Sequence, residues 1–147
     1  MDGEHGGNDQ VMRVRAVRGA TVVSADETQL VCDAVRGLLN EMTRRNGIAT
    51  DDIVSVLFTM TPDLKSEFPA RAAHALDGWH EIPMLCTIEI DVPGALAKCI
   101  RVLMHAYSPL SRSEIRHAYL GDARQLRPDL LGHDRPELGS RNAPRHT

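Results

Sequence analysis

The sequence has few of the features on which several classes of protein depend. Phe, Trp and Tyr make up only 3% of its 147 residues, so it lacks the stacking surfaces that single-stranded nucleic-acid binders use. Its formal net charge is −3, which provides no chain-wide field to attract nucleic acid or an anionic membrane. We therefore expect neither nucleic acid nor membrane among its partners.

Cysteine usage and hydropathy favour a cytoplasmic protein. The three cysteines, Cys32, Cys86 and Cys99, are odd in number and form no CxxC pair, so reduced thiols are the simplest interpretation. No apolar run approaches the roughly 20 residues that a membrane-spanning helix needs. The polar, acidic amino terminus resembles no secretory signal.

The strong motifs of cofactor binding and catalysis are also missing. The sequence contains no GxGxxG, P-loop, HExxH or GxSxG pattern. Its seven histidines show no metal-ligand spacing with one another or with the cysteines. We expect no metal and no other cofactor.

Composition divides the chain into one domain with a polar extension at each end. Residues 1–11 and 131–147 carry too little apolar surface to offset the entropy of ordering, so we expect both to be flexible. Between them, residues 12–130 form the predicted domain. Its predicted strands lie at residues 12–23, 53–60, 82–92 and 99–106, with 115–120 as a candidate fifth.

Two helices are predicted between these strands. Ser24 and Glu27 have capping-box spacing, with Asp26 as a rival N-cap, and the helix they begin should end at Gly47. A shorter helix should begin at Pro69. Two helices would cover only one face of such a sheet, and its strands are apolar on both faces. Self-association, as a closed ring or an isologous dimer, is the economical way to cover the other face.

Charged residues inside apolar strands are the candidates for chemistry. Alternation places Arg18 on one face with Val14 and Ala16, and both Arg101 and Glu89 have apolar neighbours in their own strands. Such groups are costly to desolvate without a partner. Glu89 could neutralise Arg101 in a structural ion pair. Alternatively, the arginines could clamp a carboxylate or phosphate while Glu89 accepts a hydrogen bond from a substrate hydroxyl.

Cys86 raises a geometrical question, because it precedes Glu89 by three residues and should face the opposite side of an unbroken strand. If both residues belong to one site, either the strand bulges or two subunits share the site.

Six segments, in order and with closely similar spacing, resemble the small homotrimeric bacterial chorismate mutases of the monofunctional AroH type. They are RAVRGAT at 15–21, TPDL at 61–64, FPA at 68–70, KCIRV at 98–102, IRHAYL at 115–120 and LRPDL at 126–130. The resemblance implies an α+β fold with a mixed sheet, helices on one face and assembly into a trimeric pseudo-α/β barrel with active sites between subunits. The implied reaction is the pericyclic rearrangement of chorismate to prephenate in phenylalanine and tyrosine biosynthesis, without a cofactor.

The resemblance also implies residue roles. Arg101 would bind the ether oxygen and a carboxylate, Arg18 would anchor a carboxylate, and Glu89 would accept from the ring hydroxyl. The other implied contacts are Tyr119 at a carboxylate, Cys86 at the hydroxyl, apolar walls at Phe68, Ala70 and Leu126, and Arg71, His74 and Arg127 at the mouth.

Two of these positions depart from the family pattern, since Arg71 replaces a common lysine and His74 replaces an arginine. Two other classes of protein stay open. One is a trimeric ligand-binding or imine-hydrolysing protein with a carboxylate-clamping arginine, and the other is a non-catalytic module that senses an aromatic-pathway metabolite.

Overall fold

The computed structural model describes residues 10–126. Arg127, the predicted carboxy-terminal tail and residues 1–9 of the predicted amino-terminal extension lie outside this range. The described elements are β1 (Arg13–Val22), α1 (Thr28–Asn46), β2 (Ile53–Met60), α2 (Pro69–His74), β3 (Met84–Ile88), β4 (Cys99–Ser108) and β5 (Ala118–Tyr119). Short 3₁₀ turns at Thr50–Asp52, Arg112–Glu114 and Gly121–Leu126 lie between or after them.

The five strands form one mixed sheet in the order β3-β2-β4-β1-β5. β4 lies at the centre and pairs antiparallel with both β1 and β2. The outer strands β3 and β5 pair parallel with β2 and β1. The two long neighbours of β4 therefore fix which residues of the sheet stand side by side.

Both helices pack on the same face of this sheet. The stripe of α1 that contains Val31, Val35 and Leu38 is fully buried against alternate sheet residues such as Val17 and Phe58. Within residues 10–126 the opposite face carries no α-helix. The 3₁₀ turn Gly121–Leu126 packs at one end of it, against Ala20 and Tyr119, and most of the other alternate positions along β1 and β4 are half-buried or exposed there. The predicted α+β architecture, with helices on one face, is confirmed for the protomer.

Several boundaries differ from the sequence-based prediction. The capping box predicted at Ser24 and Glu27 is wrong, because α1 begins at Thr28 and Glu27 is its N-cap without a side-chain hydrogen bond. Asp26 caps no helix either: its carboxylate accepts hydrogen bonds from the backbone N–H groups of Lys65 and Ser66, at 2.9–3.0 Å. These bonds attach the start of α1 to the loop before α2.

The ends of the strands also shift. β3 covers only Met84–Ile88 of the predicted 82–92, and β5 covers only two residues. β4 continues to Ser108, because β1 offers pairing partners along its whole length. Gly47 ends α1 in the left-handed region at φ 61°, as predicted.

We predict opposite effects on stability for two glycine substitutions. A Cβ on Gly19 would lie 2.5 Å from the Met42 Sδ and 3.0 Å from the Leu38 Cδ1, so Gly19→Ala should lower the free energy of unfolding by about 1–3 kcal/mol. Gly37, within α1, has open space around its Cβ position, so Gly37→Ala should raise it by about 0.5–1 kcal/mol. Urea unfolding measures both, and a Gly19→Ala variant as stable as the parent would contradict the packing of β1 on α1.

Candidate active site

One row of residues crosses the uncovered face of the sheet. Thr59 on β2 is the register partner of Arg101 on β4, which is in turn the partner of Ala20 on β1. Ala20 pairs with Tyr119 on β5. Register partners point their side chains to the same side of a sheet, so four strands contribute to one line of side chains.

A cavity of about 230 Å³ opens over this row. Arg18, two residues before Ala20 on β1, projects into the same space, and Glu89 enters from the segment that follows β3. The remaining lining residues are Gly19, Leu57, Thr59, Arg101, Val102, Leu103 and Tyr119. The fold therefore brings together the four candidates Arg18, Glu89, Arg101 and Tyr119.

Glu89 and Arg101 form an ion pair, with 3.5 Å between Glu89 Oε2 and Arg101 Nε. The backbone N–H of Glu89 donates to the carbonyl of Met60 at 2.9 Å, which continues the β2–β3 ladder one residue past β3. The Thr59 hydroxyl donates to the same Glu89 oxygen. The structural ion pair, one of the two alternatives left open by the sequence, is thus present in this protomer.

This ion pair is too exposed to contribute much to stability. The Arg101 side chain is 39% exposed and that of Glu89 is 23% exposed, and pairs of this kind contribute about 0–1 kcal/mol. Arg18 is exposed and Arg101 is half-buried in the protomer, because neither α-helix covers the face that carries them. The arrangement leaves two guanidinium groups available to an anion.

Tyr119 and Leu126 are held together at one end of the row. Tyr119 is largely buried and packs with Ala20 and Ala123, and Leu126 is packed against this small cluster. β5 is anchored beside β1 by the backbone N–H of Arg18, which donates to the Nδ1 of His117 at 2.9 Å. The tyrosine therefore has a fixed position next to the arginine cavity.

Two other candidates, Cys86 and Phe68, line a different cavity of the same protomer. Cys86 is the register partner of the buried Phe58 and so faces away from the row, which agrees with the opposite facing expected for Cys86 and Glu89. It lines a cavity of about 480 Å³ together with Phe68 at the start of α2. The Arg71 guanidinium lies 5.7 Å from the centre of the Phe68 ring.

The remaining candidates lie on α2, whose first residue, Pro69, lines this second cavity. Ala70 is half-buried, and Arg71 and His74 are exposed. Arg71 Nε also lies 3.5 Å from Glu67 Oε1. The candidates thus form two groups that do not meet within one protomer: the arginine cavity on the uncovered face, and the Phe68 cavity at the sheet edge.

Sequence reasoning missed Thr59 and Leu57 as lining residues of the arginine cavity. The available signal was alternation, which places both residues on one face of β2. The register between β2 and β4 was the missing fact, because it alone shows that Thr59 stands opposite Arg101.

Residues 10–126 lack a metal-binding cluster and a membrane-spanning helix. No three His, Cys, Asp or Glu side chains there are grouped closely enough to hold a metal ion. None of the helices in that range has the length and apolar character needed to cross a membrane.

Comparisons with known proteins agree on one family. The family model described as chorismate mutase type I matches residues 14–130. The chorismate mutase AroH of Bacillus subtilis is 40% identical over 119 residues, covering 81% of this chain and 94% of that protein. The AroH enzyme of Thermus thermophilus is 42% identical over 118 residues, covering 80% and 96%. A solved chorismate mutase from Clostridium thermocellum superposes with a TM-score of 0.73 at 44% identity, covering 75% of this chain and 97% of that one.

We predict that Cys86 reacts with thiol reagents well before Cys99. Cys86 is exposed, whereas Cys99 is 2% exposed and its burial raises the pKa of the thiol to about 11. The thiolate is the reactive form, and at pH 8 a thiol of that pKa is ionised to only about 0.1%. Mass spectrometry after brief iodoacetamide treatment should find the label on Cys86. Equal labelling of the two cysteines in the folded protein would contradict this difference.

Proposed function

The chain belongs to the type I chorismate mutase family, and on that premise we propose how its residues carry out the family's reaction. It is an isomerase that converts chorismate to prephenate, a step in aromatic amino-acid biosynthesis. We propose that the chemistry takes place in the arginine cavity of the uncovered face, and that Arg101 is its central residue.

The reaction is a unimolecular rearrangement in which an ether C–O bond breaks while a C–C bond forms. It needs no covalent intermediate and no obligatory proton transfer. The protein has to hold the compact conformer of a dianion and to stabilise the negative charge that develops on the ether oxygen. Fixed cationic donors in a confined space meet both needs.

The observation that carries the proposal is the presence of Arg18, Glu89 and Arg101 around one cavity of about 230 Å³. We assign Arg101 to the ether oxygen and one carboxylate, because a guanidinium presents several donors in a fixed plane. Arg18 and the Tyr119 hydroxyl anchor the carboxylates from the β1–β5 side. Glu89 accepts a hydrogen bond from the ring hydroxyl.

The Glu89–Arg101 ion pair is compatible with this assignment. Because both side chains are partly exposed and 3.5 Å apart, their attraction is weak and a substrate can compete for the guanidinium at little cost. The pair also holds Arg101 in the cavity before the substrate arrives. Preorganised donors contribute most to catalysis, since they need no rearrangement during the reaction.

We propose that the complete active site forms between two subunits of a homotrimer, a pseudo-α/β barrel. A protomer leaves large apolar residues exposed at its sheet edge, including Leu85 at 68%, Ile88 at 71% and Ile90 at 83%, and such surfaces are typical of interfaces. The Phe68 cavity of one subunit would close the arginine cavity of the next. It would supply Cys86 to the hydroxyl, Phe68 and Ala70 as apolar walls, and Arg71 and His74 at the mouth.

Leu126 would add an apolar wall beside Tyr119, as their packing in one cluster supports, and Arg127 would add a cation at the mouth.

We assign the catalytic domain to residues 12–130. We place the enzyme in the cytoplasm, because all three cysteines are free thiols.

We predict that Arg101→Lys folds and assembles but loses most of its activity. Lysine keeps the charge but not the planar array of donors, so kcat should fall about a hundredfold to a thousandfold. The assay follows loss of the conjugated-diene absorbance of chorismate, with prephenate identified chemically. Arg36→Lys, on the outer side of α1, is the matched control. Near-parental turnover by Arg101→Lys would contradict the role assigned to Arg101.

We also predict that sites are shared between subunits. Light scattering should give three times the mass of the chain. Cys86→Trp, which would fill the Phe68 cavity, and Arg101→Lys should each be nearly inactive alone. Unfolding and refolding them together should restore activity, because some interfaces then combine two intact halves. If the mixture forms trimers yet stays as inactive as its components, each site lies within one chain.

A further inference from the structure

We propose that Thr59 is a positioning residue for the rearrangement, which acts by fixing the Glu89 carboxylate beside Arg101. This inference rests on the proposed function of the arginine cavity. Thr59 is half-buried on β2 and lines that cavity. It is also the direct register partner of Arg101 on β4, so its hydroxyl lies between the strand that carries the arginine and the segment that carries the glutamate.

The hydrogen bond from Thr59 gives the two oxygens of the Glu89 carboxylate different roles. The Thr59 hydroxyl donates to Oε2, which is also the oxygen 3.5 Å from Arg101 Nε. Within residues 10–126, Glu89 Oε1 accepts no hydrogen bond. A hydroxyl has a single proton to donate, so Thr59 bonds to Oε2 alone. Oε1 stays available to accept a hydrogen bond from the ring hydroxyl of the substrate.

The Glu89 carboxylate needs this restraint because the backbone around Glu89 makes few hydrogen bonds that would hold it in place. β3 ends at Ile88, and Glu89 is held by one backbone hydrogen bond to Met60. Without Thr59 the carboxylate is free to turn and close on Arg101 as a bidentate pair. That pair would occupy the donors that must face the ether oxygen in the transition state, and would leave the ring hydroxyl without an acceptor.

The test removes the hydroxyl and keeps the shape. Thr59→Val is nearly isosteric, and a hydrogen bond to a charged group is worth about ten- to a hundredfold in an equilibrium or rate. We expect kcat to fall by about that factor while KM changes less than threefold, because the lost alignment matters most in the transition state. Thr59→Ser, which keeps the donor, should restore kcat to within about threefold of the parent.

Thr43→Val is the matched control, since within residues 10–126 the Thr43 hydroxyl bonds only to carbonyls of α1, on the far side of the sheet. Its kcat should equal that of the parent. Thermal unfolding of all variants separates loss of fold from loss of alignment. A Thr59→Val variant with parental kcat, or a Thr59→Ser variant as poor as Thr59→Val, would overturn the inference.

A double-mutant cycle identifies the partner through which Thr59 acts. In a Glu89→Ala background, Thr59→Val should change kcat less than twofold, because the carboxylate that it positions is gone. A full additional loss in that background would show a merely structural role and would overturn the inference. If the parent chain itself fails to turn over chorismate, the proposed function fails and this inference fails with it. If the parent is active but Thr59→Val leaves kcat unchanged, this inference is rejected and the proposed function stands.

Discussion

The antiparallel pairing of β4 with both β1 and β2 is the constraint on which the rest of the structure depends. It places Thr59, Arg101 and Ala20 in one row, and it brings Tyr119 into that row through β5. The same pairing turns Val102 and Met104 toward α1, where they are buried. One register therefore builds the hydrophobic core on one face of the sheet and the arginine cavity on the other.

Much of the fold could be predicted because its signals are local. The apolar run at residues 53–60 gave β2 with its observed bounds, and Gly47 ended α1 as a left-handed residue should. The capping box failed because two residues at the right spacing are only a local tendency. Asp26 bonds instead to Lys65 and Ser66, a contact between distant segments that spacing cannot reveal. β3 was predicted too long because an apolar run does not show where its partner strand ends.

The candidate site was less predictable than the fold: its residues could be identified, but their meeting in one cavity could not. A charged residue between apolar neighbours identified Arg101 and Glu89, and alternation placed Arg18 on the same face of its strand as Val14 and Ala16. Their meeting in one cavity depends on sheet order and register, neither of which a single sequence shows, and here the resemblance to a family supplied what spacing could not. Thr59 carried no signal of its own, since a threonine in a strand is ordinary. Its significance comes from its position opposite Arg101.

The alternation of β4 has a consequence for how this protein can fail. Sliding the strand by a single residue would exchange its two faces, so the Arg101 side chain would enter the packed interior and the Val102 side chain would point to the uncovered face. Such a slip would bury a charge and expose the core at once, and the misaligned state would be too unstable to persist. A stable fold with the strand in the wrong register is therefore not expected. The packing that stabilises the domain also ensures that its catalytic arginine points into the cavity.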